Sequence, residues 1–298
     1  MAYSEGFQIV TESGDVLHLQ YPYALTEITG LHLPQTKDRT TRSPAQHGDT
    51  FLASVFEPRT MNLVITIQAR TRSGLSALRA RVGAVLNPRV APLHLSLYTA
   101  AGGFFRLKNV SCQGPVESNI RYEGDAVTQV LGVRLVAHDP IWYSDTAYTR
   151  YISTANNLDL VFPATFGAGS GLAFGATTVL GTLSIQTLGD WPAYPSIQVT
   201  GPVANIRIIN QTTTEMIELA YTISLGEAVT FITTPGAKDI FNNYGERLQK
   251  YLVDGDFASF HIEPISSVAP TGTNEFAFEG IGIPAQILIQ WSDRFTSV

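Results

Sequence analysis

The chain has 298 residues, a formal net charge of −6 and only 15% charged side chains, against a hydrophobic share of 44%. That length suits two ordinary domains, each with its own core, and the acidic balance leaves neither a basic footprint for nucleic acid nor a polybasic patch for an anionic membrane. The single cysteine, Cys112, excludes an internal disulfide and with it a disulfide-stapled secreted domain.

Thr, Ser, Gly, Asn and Gln stand where charge is missing, and a surface of that kind is cheap to desolvate, so subunit contacts are expected. Met1 to Gly6 has no basic n-region and no apolar h-region, which predicts no signal peptide and synthesis and folding in cytoplasm.

Phe7 to Thr11 and Val16 to Leu19 flank Glu12-Ser13-Gly14-Asp15, a hairpin signal. Tyr21-Pro22-Tyr23 interrupts the pattern and Leu25 to Leu31 resumes it. From Pro34 to Thr50 the chain turns polar, with Lys37, Asp38, Arg39, Arg42, His47 and Asp49 among Thr, Ser and Gln. A segment this long is an arm for a partner or a mobile loop.

Met61, Leu63, Ile65, Ile67 and Ala69 then alternate with polar residues, the period of a strand with one buried face. Leu75, Leu78, Val82, Val85 and Leu86 follow at helical spacing behind a candidate N-cap, Ser73, and Asn87-Pro88 ends the helix. It is the one convincing helix in the sequence. Leu93, Leu95 and Leu97, Phe104 to Val110, and Val127 to Ala137 read as further strands, closing on Asp139-Pro140-Ile141-Trp142-Tyr143.

The uncharged span between Asp159 and Asp190 has the length of a membrane crossing. Pro163, Gly167, Gly169, Gly171, Gly175 and Gly181 break it, so it is read as a flexible linker running into strands, without membrane insertion. A second domain is expected from Leu183. Its strands are Ile197 to Thr200, Ala204 to Ile209, Met216 to Leu219, Val229 to Thr233, Phe257 to Ile262, Asn274 to Phe278 and Gln286 to Trp291. Turn signals between them suit an antiparallel sandwich. The fold class is mainly β: an N-terminal β-sandwich with one α-helix over 1–145, a linker with first strands over 146–182, and a C-terminal antiparallel β-sandwich over 183–298.

No catalytic pattern emerges. The histidines (18, 32, 47, 94, 138 and 261) show no HxH or HExxH spacing, no serine sits in a GxSxG elbow, and Gly167-Ala168-Gly169-Ser170-Gly171 lacks the GK[ST] ending of a phosphate loop. Glu215 with Glu218, and Asp254 with Asp256 in a presumed turn, are the only acid pairs worth naming. The reading is no enzyme, no cofactor and no metal. Trp191, Tyr194 and Trp291 are candidate glycan contacts, since an aromatic face pairs with the CH face of a pyranose, although core or loop anchoring is the favoured account of them.

The order of short motifs carries more. Tyr21-Pro22, Ile28-Thr29-Gly30-Leu31, Gln46-His47-Gly48-Asp49, Glu57-Pro58-Arg59-Thr60, the strand and helix ending Leu86-Asn87-Pro88, and Asp139 to Tyr143 resemble the N-terminal half of the distal tail protein (Dit) family of long-tailed siphophages. Gly189-Asp190 with Pro192, Pro195 to Gly201-Pro202, Ile208-Ile209-Asn210, Thr212-Thr213-Thr214, Leu225-Gly226-Glu227 and Gly272-Thr273-Asn274 are similar to its C-terminal half. Leu188, the spread Pro270 to Asn274 turn and Asp293-Arg294-Phe295 depart from the family pattern. The resemblance implies a structural virion protein of the phage tail tip, assembled in the host cytoplasm. Its N-terminal domains would form a hexameric ring, and its C-terminal domain would be galectin-like. Implied partners are the tail-tube protein, a tail-tip hub or tail-associated lysin, and a receptor-binding protein. On that reading Lys37, Arg39 and Arg42 form an inter-subunit arm. The alternative is a carbohydrate-binding accessory that contacts cell-wall glycans through the C-terminal domain.

Overall fold

The computed structural model of the chain describes residues 6–99, 102–123, 126–152, 178–282 and 286–298. Residues 153–177, the middle of the segment expected as linker and first strands over 146–182, lie outside the described residues together with the Gly167 to Gly171 loop. Two compact units emerge, Met1–Thr146 together with Arg294–Val298, and Ala147–Asp293.

The strands of the first unit are β1 (Gly6–Thr11), β2 (Val16–His18), β3 (Tyr23–Thr29), β4 (Thr36–Thr41), β5 (Thr50–Phe56), β6 (Arg59–Ala69), β7 (Leu93–Tyr98), β8 (Phe104–Glu123), β9 (Ala126–Ala137) and β10 (Trp142–Ser144), with helix α1 (Arg72–Val85) after β6. Those of the second are β11 (Tyr148–Ile152), β12 (Thr178–Gln186), β13 (Ser196–Thr200), β14 (Val203–Asn210), β15 (Glu215–Ile223), β16 (Ala228–Ile232), β17 (Asp239–Asn242), β18 (Leu252–Gly255), β19 (Thr273–Gly282) and β20 (Gln286–Trp291). The last strand, β21 (Arg294–Phe295), belongs to the first unit, where it pairs with β10.

In the first unit an antiparallel sheet follows the path β2-β1-β7-β8-β9-β6-β3, with β10 and β21 attached beside β8. Strand β6 behaves as its alternation demands: Met61, Leu63, Ile65 and Ile67 are fully buried. Strand β8 pairs first with β7 and then with β9, shifting register at Cys112/Pro115 and Pro115/Ser118, which lets the sheet bend around one core. Helix α1 buries Leu75, Val82 and Val85 against that core. Its N-cap is Thr71, not Ser73: the Thr71 Oγ1 accepts the Gly74 amide at 3.1 Å, and Ser73 sits inside the first turn. Asn87 ends the helix by capping a short 3-10 turn over Pro88–Val90.

The short motifs of this unit meet at one side chain. Arg59 is 1% exposed and has no carboxylate partner among the described residues. Its guanidinium donates to the carbonyls of Gly30 (3.1 Å), Leu31 (2.7 Å), His32, Pro140 (2.9 Å) and Thr296 (2.7 Å), and lies 5.8 Å from the centre of the Trp142 ring. Burial pulls its pKa down to about 10, so it remains charged at neutral pH. Gly30 has φ +89°, and a Cβ there would collide with the Thr60 carbonyl, so the chain passes β6 at a distance only glycine permits. Asp139 orders the following turn by accepting the Ile141 amide and the Tyr143 hydroxyl.

The second unit is a sandwich of two five-stranded antiparallel sheets, β11-β20-β13-β16-β17 and β12-β19-β14-β15-β18, sharing one core of Ile, Val, Leu and Phe. Phe257 to Ile262 is not a strand. The Ser259 and Phe260 amides turn back onto the Asp256 carbonyl, and Ile262 makes only an isolated bridge with Ala193. Strands β17 and β18 precede it in the chain, each on the outside of one sheet, and Asp254 lies within β18 rather than in a turn. Polar staples hold the loops: Asn210 bonds Asn274 at 3.1 Å, and Asp293 accepts from Thr187 (2.7 Å) and the Leu188 amide (3.3 Å).

Candidate assembly site

The polar segment after Pro34 is one strand of a ribbon. β4 pairs antiparallel with β5 and with no other strand among the described residues. All of β4 and the first five residues of β5 are exposed, so neither strand shows the inside-outside alternation that marks a buried face. Gln46 fastens the connecting turn, accepting the Ser43 amide at 3.0 Å and donating to Thr50 Oγ1 at 2.9 Å.

Register sorts the three arm cations. Lys37 lies opposite Val55 and Arg39 opposite Ala53, so the two share one face of the ribbon, and neither has an ion-pair partner among the described residues. Asp38 is on the other face, where Ser54 donates to it at 2.8 Å. Arg42 stands apart in the turn, donating to the Gln46 carbonyl at 3.3 Å and lying 3.9 Å from Asp49. Between Arg39 and Thr40 the register shifts, leaving Leu52 as the extra residue of a bulge. Leu52 is 61% exposed and its neighbour Phe51 is 62% exposed, apolar surface that sequence reasoning passed over.

Beside α1 lies a cavity of about 570 Å³, walled by Val82, Gly83 and Leu86 of the helix and by Ile67, Cys112 and Leu131 of the sheet. Glycine in mid-helix costs about 1 kcal/mol relative to alanine. At Gly83 no packing constraint explains it, because a Cβ would meet nothing within 4 Å.

The three candidate glycan contacts do not converge. Trp291 is only 4% exposed and stacks on Tyr148 with ring centres 5.5 Å apart. It lines a polar cavity of about 410 Å³ with Tyr148, Arg150, Ser184, Gln186 and Thr273, which includes neither Trp191 nor Tyr194. Tyr194 is half-buried in the loop before β13, with the Lys238 ammonium 5.8 Å from its ring centre, and Trp191 is half-buried in the same loop.

Of the acid pairs, Glu218 binds Arg207 at 3.2 Å while Glu215 is drawn away to His261, 3.0 Å from its Nδ1; Glu263 holds the other ring nitrogen at 2.8 Å. Both glutamates are engaged by backbone as well: Glu215 accepts the His261 amide and the Glu263 amide bonds Asn274. That spends the groups on holding a loop, and the chemistry it offers is charge pairing. Among the described residues no group of three His, Cys, Asp or Glu is arranged to hold a metal ion. No helix among them is long and apolar enough to cross a membrane.

The charges divide unevenly. The first unit carries fourteen Lys and Arg against twelve Asp and Glu, the second five against thirteen.

Comparison with known proteins gives this geometry a setting. Among curated proteins, none matches the chain in sequence. Among solved structures it is similar to the Dit protein of phage SPP1, described as a paradigm of the hub adsorption apparatus in phages infecting Gram-positive hosts, with a TM-score of 0.62 and 11% identity over 97% of this chain and 99% of that one. It is also similar to chains of the phage P2 baseplate in its activated conformation, with Ca (TM-score 0.51, 11% identity, 99% of this chain and 100% of that one) and with Sr (TM-score 0.53, 9% identity, the same coverage). At these identities the likeness is one of fold. The family model described as phage tail protein RIFT-related domain matches residues 13–170, more than half the sequence. The chain therefore belongs to the phage tail proteins that carry a RIFT-related domain.

Proposed function

We propose that the protein is a non-enzymatic structural component of a long-tailed phage virion, a hub whose first units close into a hexameric ring joining the tail tube to the tip or baseplate. The observation that carries this reading is the β4–β5 ribbon. A two-stranded ribbon without a third strand or a helix against it is marginal in water, yet here it stands apart from the sheet and exposes Phe51 and Leu52 beside the unpaired Lys37 and Arg39. Such a ribbon gains its stability from another molecule, and a chain that offers one ribbon per copy meets that need by cyclic assembly. The charge division supports the same assignment: second units with eight excess acids repel one another, so the ring contact falls to the nearly balanced first units. The galectin-like second unit then serves contacts to a tail-tip hub or tail-associated lysin and to the receptor-binding protein. Native mass measurement with electron microscopy of the purified protein tests the proposal. A six-fold annulus is expected, and a 32.4 kDa subunit that stays solitary even beside tail-tube protein would sink it.

A second reading, glycan binding by the second unit, has one specific observation in its favour. The cavity lined by Arg150, Gln186, Ser184 and the Tyr148–Trp291 stack offers hydrogen-bonding groups beside aromatic carbon, the mixture a pyranose needs. A glycan array comparing the parent with Arg150→Ala decides it, since the loss of specific spots only in the variant is the required result.

A further inference from the structure

The ribbon and the α1 cavity are two apolar features that a single chain leaves uncovered. Phe51 and Leu52 remain more than half exposed, and the cavity remains open, so neither is satisfied by its own copy. The bulge at Leu52 bends β5 and turns side chains out of the ribbon's regular alternation at that point. The cavity has the dimensions of a site for bulky side chains, and its walls are mainly apolar. Gly83 lies in the cavity wall on the helix side, where a Cβ would meet nothing within 4 Å and a large side chain would have room to enter.

We propose that Phe51 and Leu52 of one copy seat in the α1 cavity of the next, among Val82, Gly83, Leu86, Cys112 and Leu131. The inference rests on the ring reading above and names the two surfaces that meet. Every copy carries one plug and one socket, so the contact is head-to-tail and uses both on every subunit only when the ring closes. It also gives Cys112, half-buried in the cavity wall, an environment that changes on assembly.

Two experiments test this on the full chain. Leu52→Cys, treated with a mild oxidant, should give disulfide-linked multimers on a non-reducing gel, and these should vanish in a Leu52→Cys, Cys112→Ser double variant. Gly83→Leu fills the cavity from a helical position with open space around it. Its melting temperature should equal or exceed that of the parent while association weakens about 10- to 100-fold, the loss expected from excluding one or two large apolar side chains. An oligomer that survives Gly83→Leu unchanged, or one in which Cys112 reacts with maleimide as fast as in the isolated subunit, overturns this contact and leaves the ring standing. A chain that is monomeric at every concentration, alone and beside tail-tube protein, removes the ring itself and this contact with it.

Discussion

The Nη2 of Arg59 donates to the carbonyl of Thr296 at 2.7 Å, joining residues 237 positions apart. The same guanidinium satisfies Gly30, Leu31 and Pro140, so one buried cation ties the end of β3, the turn after β9 and the last strand of the first unit. Replacing it with Met strands several buried carbonyls at once, each costing about 1 to 3 kcal/mol. The expected outcome for Arg59→Met is a loss on the order of 4 kcal/mol and a fall of about 10 °C in the melting temperature of that unit. Arg59→Lys should do little better, since an ammonium has no planar fork to reach three separate segments. Deleting 294–298 should act in the same direction, because Phe295 and Val298 pack on the core. Calorimetry showing parent-like melting for Arg59→Met would contradict this account.

The register of the ribbon makes the arm cations unequal. Lys37 and Arg39 share a face and are unpaired, whereas Arg42 is engaged within its own turn. If the cations steer or hold a neighbour's acidic groups, Lys37→Glu with Arg39→Glu should weaken association about tenfold and flatten its dependence on salt, while Arg42→Glu should change little. Light scattering across a salt series reads both effects. Equal losses from all three positions would mean that the charge of the arm matters and its faces do not.

Much of this was written in the sequence, for physical reasons that also mark where it stops. Elements with one face in a core announce themselves by period, as β6 and α1 do. β4 does not, since a ribbon wet on both faces has no reason to alternate, and its strand pairing is invisible in Lys37-Asp38-Arg39-Thr40-Thr41. Phe257, Phe260 and Ile262 mimic a strand because they are buried or half-buried, but their backbone is committed to a turn: Lys238 takes the Phe257 carbonyl at 2.9 Å. Strand β17 was missed because its second inward residue is Asn242, buried through a bond to Glu227 rather than through apolarity. The short motifs were legible as motifs but not as contacts: Gly30, Arg59, Pro140 and the chain end are brought together only by the fold. Trp191, Tyr194 and Trp291 looked equivalent as aromatic residues, and only burial separates them.

That separation changes how glycan binding must be tested. Trp291 is packed beneath Tyr148 and on the core of the second unit, so Trp291→Ala removes a buried indole and should destabilise that unit by about 3 to 5 kcal/mol. Lost binding in such a variant would report unfolding. Arg150→Ala, on an edge strand, should leave the melting temperature within about 1 °C, because exposed polar substitutions rarely cost more than about 0.5 kcal/mol. Differential scanning fluorimetry of the two variants checks the contrast, and a stable, well-folded Trp291→Ala would return that residue to the list of surface contacts.

His261 gives the second unit a pH dependence of definite sign. Burial opposes its charge, but the hydrogen bond to Glu263, the Glu215 carboxylate and the Ser259 carbonyl outweigh burial, and its pKa stands above the ordinary 6.5. A group whose pKa is raised on folding binds its proton more tightly in the folded state. Its contribution is therefore complete below the unfolded value and is lost as pH rises through the folded one. The melting temperature of the parent should exceed that of His261→Gln most below pH 6.5 and converge toward it as pH rises through the raised folded-state value, where the imidazolium between the two glutamates loses its proton. Because Glu215 and Glu263 keep their backbone bonds in the variant, the loop they hold should survive, and the convergence isolates the charge. A gap between parent and variant that stays constant as pH rises from below 6.5 through the folded-state value, or widens, would show that the imidazole acts there through packing alone.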